Sequence, residues 1–179
     1  YNIDSGSGGV SKGLSQSVSS LCLATCRRNE VLLGSDYDGN ISMWNLTLFK
    51  ENPFELSCEM TVKGFHDSDD PGILEIVFHA DTGMCYSCGN DATIRCWSLV
   101  DSQYSNSYVG YHVDSINRLI LEGNALLSSD MVGNTILWRV EEEKGMLTPL
   151  VRWIPGEVDA VGIVVDISLA SLGPGLHSP

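Results

Sequence analysis

The stretch GSDYDGNISMWN, residues 34–45, admits two readings, and the choice between them decides the fold. Asp36, Asp38 and Asn40 alternate like the first oxygen ligands of a calcium loop. Asp38-Gly39 is equally a tight-turn dipeptide, followed by a β-rich run that ends at Trp44. A calcium loop counted from Asp36 needs Gly at its sixth position and a bidentate Glu at its twelfth. Those positions hold Ile41 and Thr47, so the turn reading is preferred.

The pattern recurs. GSDYDGNISMWNL (34–46), SCGNDATIRCWSL (87–99) and SSDMVGNTILWRV (128–140) align on Trp44, Trp97 and Trp138, at intervals of 53 and 41 residues. Each segment reads as strand, turn, strand. Leu32-Leu33, Cys85-Tyr86 and Leu126-Leu127 precede the turn; Asp38-Gly39, Asp91-Ala92 and Val132-Gly133 form it. A further strand is expected upstream of each hairpin, at residues 18–23 (VSSLCL), 73–78 (ILEIVF) and 116–121 (INRLIL). A fourth is expected downstream, at 58–62, 107–111 and 147–153. Four antiparallel strands per unit of about 40–45 residues describe the blade of a β-propeller.

On these residues the chain resembles the WD40-repeat family, whose units run from a Gly-His pair to a Trp-Asp pair. The second unit matches best. Gly64-Phe65-His66 is like the opening pair with one residue inserted, and SCGNDATIRCW is close to the family's closing pattern. Gly110-Tyr111-His112 opens the third unit in the same way. The resemblance implies an all-β fold of propeller blades, each a four-stranded antiparallel sheet, in an incomplete ring. It also implies a hydrogen-bonded network of histidine, serine, turn aspartate and tryptophan inside each blade. In unit two these are His66, Ser87, Asp91 and Trp97. Unit three keeps His112, Ser128 and Trp138 but has Val132 in the aspartate's place, with Asp130 nearby and out of register. Unit one keeps Asp38 and Trp44, with Gly34 at the serine position and no histidine near Leu14-Ser15.

The expected organisation is a Ser/Gly-rich lead-in over residues 1–17 and a repeat region over 18–153, with repeats near 18–46, 64–99 and 110–140. Residues 154–179 are expected to hold a partial blade, with GEVDAVGIVVDISLA as its start, and a disordered tail. The chain begins at Tyr1 rather than Met and is read as a fragment or a processed product. Its 43% hydrophobic content is enough for a core. Neither a signal peptide nor an apolar run near the ~20 residues of a membrane span is visible.

Net charge is −13, which disfavours nucleic acid and anionic membranes and favours other proteins or peptides, basic segments among them, while the short apolar runs speak against membrane insertion. Six cysteines without a secretory context are read as buried small hydrophobes, and the chain as intracellular and cytoplasmic, with the nucleus left open. Cys85 and Cys88 match C-x-x-C but fall in a strand, where residues three apart point to opposite faces. His66-Asp67-Ser68-Asp69-Asp70 is read as an inter-blade loop, and Asp67, Ser68, Asp69 and Asp70 as a candidate partner-contact segment. No nucleophile elbow, P-loop or H-E-x-x-H motif occurs, and no catalytic, cofactor or metal residue is assigned. The expected function is a non-catalytic WD40 scaffold or adaptor, a subunit of a larger complex. The alternative is a propeller enzyme, a metal-dependent hydrolase using the central channel.

Overall fold

The computed structural model describes residues 17–47, 58–63, 66, 69–99 and 104–156. Expectations about residues 1–16, about Gly64, Phe65, Asp67 and Ser68, and about 157–179 lie outside the described residues. Within them the elements are twelve strands. They are β1 (Val18–Cys26), β2 (Asn29–Asp36), β3 (Ile41–Asn45), β4 (Cys58–Val62), β5 (Ile73–His79) and β6 (Met84–Gly89). Then follow β7 (Ile94–Ser98), β8 (Tyr104–Tyr108), β9 (Ile116–Glu122), β10 (Ala125–Asp130), β11 (Thr135–Val140) and β12 (Leu147–Trp153).

They form three four-stranded antiparallel meanders, β1-β2-β3-β4, β5-β6-β7-β8 and β9-β10-β11-β12. These are three propeller blades in an incomplete ring. Among the described residues no helix is long and apolar enough to cross a membrane. One expected strand is displaced: β8 spans Tyr104–Tyr108 rather than 107–111. Its partner β7 sets the register, with Trp97 opposite Tyr104 and Ile94 opposite Tyr108. Gly110, at φ +79°, then turns the chain out of the sheet.

The blades repeat down to their irregularities. Each third-to-fourth strand ladder shifts at the tryptophan, between Met43/Trp44, Cys96/Trp97 and Leu137/Trp138. Each first-to-second ladder shifts near the start of the inner strand, skipping Ser19, Leu74 and Asn117. A bulge adds local twist, so the same two bulges in each blade give the same curvature three times.

Inner strands β1, β5 and β9 pack side by side, and two cores form between the blades. Val31, Leu33, Ile41 and Met43 of blade one meet Ile76, Cys85, Trp97 and Leu99 of blade two. Met84, Tyr86, Ile94 and Cys96 of blade two meet Leu119, Leu126, Ile136 and Trp138 of blade three. Blade two is therefore covered on both faces, and β6 is buried along its whole length. Such a strand reads as a continuous apolar or small run, MCYSCG. By contrast β10 and β11 alternate buried and half-buried residues.

Trp97 and Trp138 face backward, towards the preceding blade, while Met43 and Cys96, each just before a tryptophan, face forward. Cys85 and Cys88 obey the same rule and lie in different cores. Burial raises the thiol pKa of both, and pushes Cys96 up to about 12, so these sulfurs stay protonated.

Candidate functional site

The turns at one end of the strands form the candidate site, and buried histidines tie them to the blades. In blade two the link from β4 delivers His66 under the β6–β7 turn. Its Nδ1 lies 2.9 Å from Asp91 Oδ1 and its Nε2 lies 3.0 Å from Ser87 Oγ. Asp91 also accepts hydrogen bonds from Thr93 N at 3.0 Å and Thr93 Oγ1 at 2.8 Å, and pairs with Arg95 at 3.2 Å. Trp97 is fully buried in the core shared with blade one.

In blade three His112 Nε2 lies 2.7 Å from Ser128 Oγ, and that oxygen also accepts the Trp138 indole N–H at 2.8 Å. The other imidazole nitrogen meets Asp130 Oδ2 at 3.2 Å. Tyr108 and Tyr111 pack edge-on against the Trp138 ring, with centroids 5.6 Å and 4.9 Å away. The aspartate of this blade is thus Asp130, at the end of β10, and the expected register is corrected. Val132 is exposed at the tip of the turn. Asp130 is locked by Asn134, whose backbone and side-chain amides donate at 2.8 Å and 2.9 Å.

Blade one carries a second correction of the same kind. Asp38 is exposed, and the buried carboxylate is Asp36. It accepts from Asp38 N at 3.0 Å, Asn40 N at 2.9 Å and Asn40 Nδ2 at 2.9 Å. The alternating oxygens of the opening stretch therefore close a turn on its own backbone. The signal that finds both aspartates is D-x-x-G-N, present at Asp36 to Asn40 and at Asp130 to Asn134 and absent from unit two. Trp44 Nε1 is buried without a hydrogen-bond partner among the described residues, as Gly34 offers it no hydroxyl.

These networks have electrostatic consequences. Burial lowers the pKa of His112, against the opposing pull of Asp130, so the ring is neutral. Burial alone would raise Asp130, but hydrogen bonds from Asn134, His112 and Val113 outweigh it and hold the carboxyl below its usual range.

Backbone contacts join the turns into one rim. Gly39, at φ +75°, sits so close to Pro71 that a β-carbon would come within 2.7 Å of its carbonyl oxygen. Asn90 N donates to Gly72 O at 2.9 Å, Ser115 Oγ to Asn90 O at 3.3 Å, and Met131 N to Ser115 O at 3.0 Å. The rim exposes Tyr37, Val113, Met131 and Val132 beside the acids Asp38, Asp69 and Asp70. Of the expected contact segment, Asp69 and Asp70 are exposed, and Asp70 accepts from Asn90 Nδ2 at 2.9 Å. The apolar members of the rim were not legible beforehand. No periodic pattern marks a hydrophobe at a turn tip.

No family model matches the chain. A curated protein of Dictyostelium discoideum, a probable inactive protein kinase, is 27% identical over 120 residues, which are 65% of this chain and 9% of that protein. The chain thus spans less than a tenth of that relative. Among solved structures, U3-55K superposes with a TM-score of 0.55 at 18% identity, covering 72% of this chain and 36% of that one. The computationally designed Ika4 protein superposes with a TM-score of 0.57 at 19% identity, covering 78% of this chain and 74% of the other. At such identity the likeness speaks of fold alone, and the fold is that of a β-propeller segment.

Proposed function

We propose that the chain is a non-catalytic interaction scaffold that engages basic, amphipathic peptide segments of partner proteins through the rim of turns. The observation that carries this reading is the juxtaposition of exposed hydrophobes with exposed carboxylates on a rim held by backbone hydrogen bonds. Rigid loops lose little entropy on binding, and a mixed apolar and acidic surface suits a segment that alternates hydrophobes with Lys or Arg. The net charge of −13 steers such segments inward from a distance. Membership of a larger complex and an intracellular, cytoplasmic setting belong to the same reading.

The test is fluorescence anisotropy of labelled peptides with the full chain, comparing a Lys/Leu-alternating peptide with a Glu/Leu counterpart. The basic peptide is expected to bind at least tenfold more tightly, weakening with salt and with Met131→Asp. Equal binding of both peptides, or binding indifferent to Met131→Asp, overturns the reading.

A further inference from the structure

Blade three ends the described fold with an uncovered face. Across its sheet the ladder aligns Ile120, Leu127, Leu137 and Val151 in one row. The equivalent row of blade one is Cys22, Leu33, Met43 and Met60, and blade two has Val77, Tyr86 and Cys96 in the same places. In those blades the row is covered by the next blade, its inner strand included, leaving Leu33, Tyr86 and Cys96 at 0% exposure. In blade three Ile120 is 54% exposed, and Leu127 and Leu137 are only half-buried. Among the described residues this interior surface has no cover.

We propose that residues 164–169 of this chain, VVDISL, supply the first part of that cover, lying beside β9 as the inner strand of a fourth blade. Aligned on their bulges, β5 and β9 begin ILEIVF and INRLIL. VVDISL matches their order of hydrophobe, variable residue, polar or charged residue, hydrophobe, variable residue, hydrophobe. The reach is right as well. Ten residues separate β4 from β5, and ten separate the end of β12 at Trp153 from Val164.

Charge completes the fit. The third position of each inner strand bonds to the next inner strand. Ser20 Oγ accepts from Ile76 N at 3.3 Å, and Glu75 accepts from Leu119 N at 2.5 Å while pairing with Arg118 at 3.4 Å. Arg118 holds that position in β9 and is largely exposed, and the residue that falls opposite it in VVDISL is Asp166. The Glu75–Arg118 pairing would thus be repeated with its signs reversed.

Hydrogen exchange of the full chain, followed by mass spectrometry, tests this. Amides of 164–169 are expected to exchange at least about tenfold more slowly than an unstructured chain of that sequence. Ile120→Asp, at an exposed position, should abolish that protection while leaving β10 and β11 protected. Arg118→Glu should weaken it, and Asp166→Arg in the same chain should restore it. Exchange of 164–169 at the unstructured rate overturns the proposal, as does protection indifferent to Ile120→Asp. Protection that grows with protein concentration also overturns it, since a second copy would then be the cover.

Discussion

Blades two and three hold the same imidazole by different means. Blade two uses an aspartate inside the turn, Asp91, braced by Thr93 and by Arg95 at the edge of solvent. Blade three uses an aspartate at the strand end, Asp130, braced by Asn134 and wholly buried. The two carboxylates stand two residues apart when counted back from their tryptophans, yet each reaches the histidine nitrogen. What the fold maintains is an acceptor at one point in space. Several chain positions around a tight turn can supply it. The chain of hydrogen bonds in blade three runs from Asp130 through His112 and Ser128 to Trp138.

The largest break comes from the tryptophans. Trp97→Ala and Trp138→Ala should each lose roughly 3–5 kcal/mol, since both rings are fully buried in inter-blade cores. Trp44→Ala should lose less, because Trp44 faces the uncovered side of blade one, where Leu23 is 71% exposed. Urea unfolding of the three variants checks the order; equal midpoints would contradict it.

Asp130→Ala should cost about 1–3 kcal/mol for each buried donor it orphans, among them the amides of Asn134. Asp91→Ala should cost less, because Arg95 can turn to water. A denaturant series that reverses this order would show that burial of the carboxylate does not set the difference.

Acid should act on blade three in two stages. The folded state lowers the His112 pKa below its ordinary 6.5, so the unfolded chain binds that proton more readily. Stability is then fully present above pH 6.5 and falls as pH drops through that value towards the folded pKa. Asp130, held below its ordinary 3.8, contributes stability above that pH which is lost at still lower pH. His112→Gln should flatten the first stage in unfolding midpoints measured from pH 7.5 to pH 5.

Ala92 sharpens the comparison on the turn itself. It sits at φ +57°, where Gly39 and Gly133 stand at +75° and +90° in the other two turns. Ala92→Gly should stabilise by about 1 kcal/mol, since an L side chain is strained there. A lower urea midpoint would refute that. At the small end, Asp38→Ala and Val132→Asp should each change stability by no more than about 0.5 kcal/mol, as both side chains are exposed.

Much of this was legible. Three tryptophans in phase, each after a turn and a β-rich run, were enough for four-stranded blades, because the period of a strand and the chemistry of a turn are local properties. His66 with Asp91 could be placed by the resemblance because unit two keeps its motif whole. Alignment on the tryptophan failed at Asp38 and Val132, where a fixed count along the chain stood in for a position in space. Asp36 and Asp130 lie at strand ends, and only the folded turn brings their carboxylates inward.

By itself the sequence determined the strands, the turns and the repeat, all of which follow from hydrophobic alternation and from residues that tolerate a positive φ. Tertiary structure decided which carboxylate meets each histidine, which face of each blade is covered, and which hydrophobes stand on the rim. Those depend on the distance between segments far apart in the chain, and that distance is set by how the sheets pack.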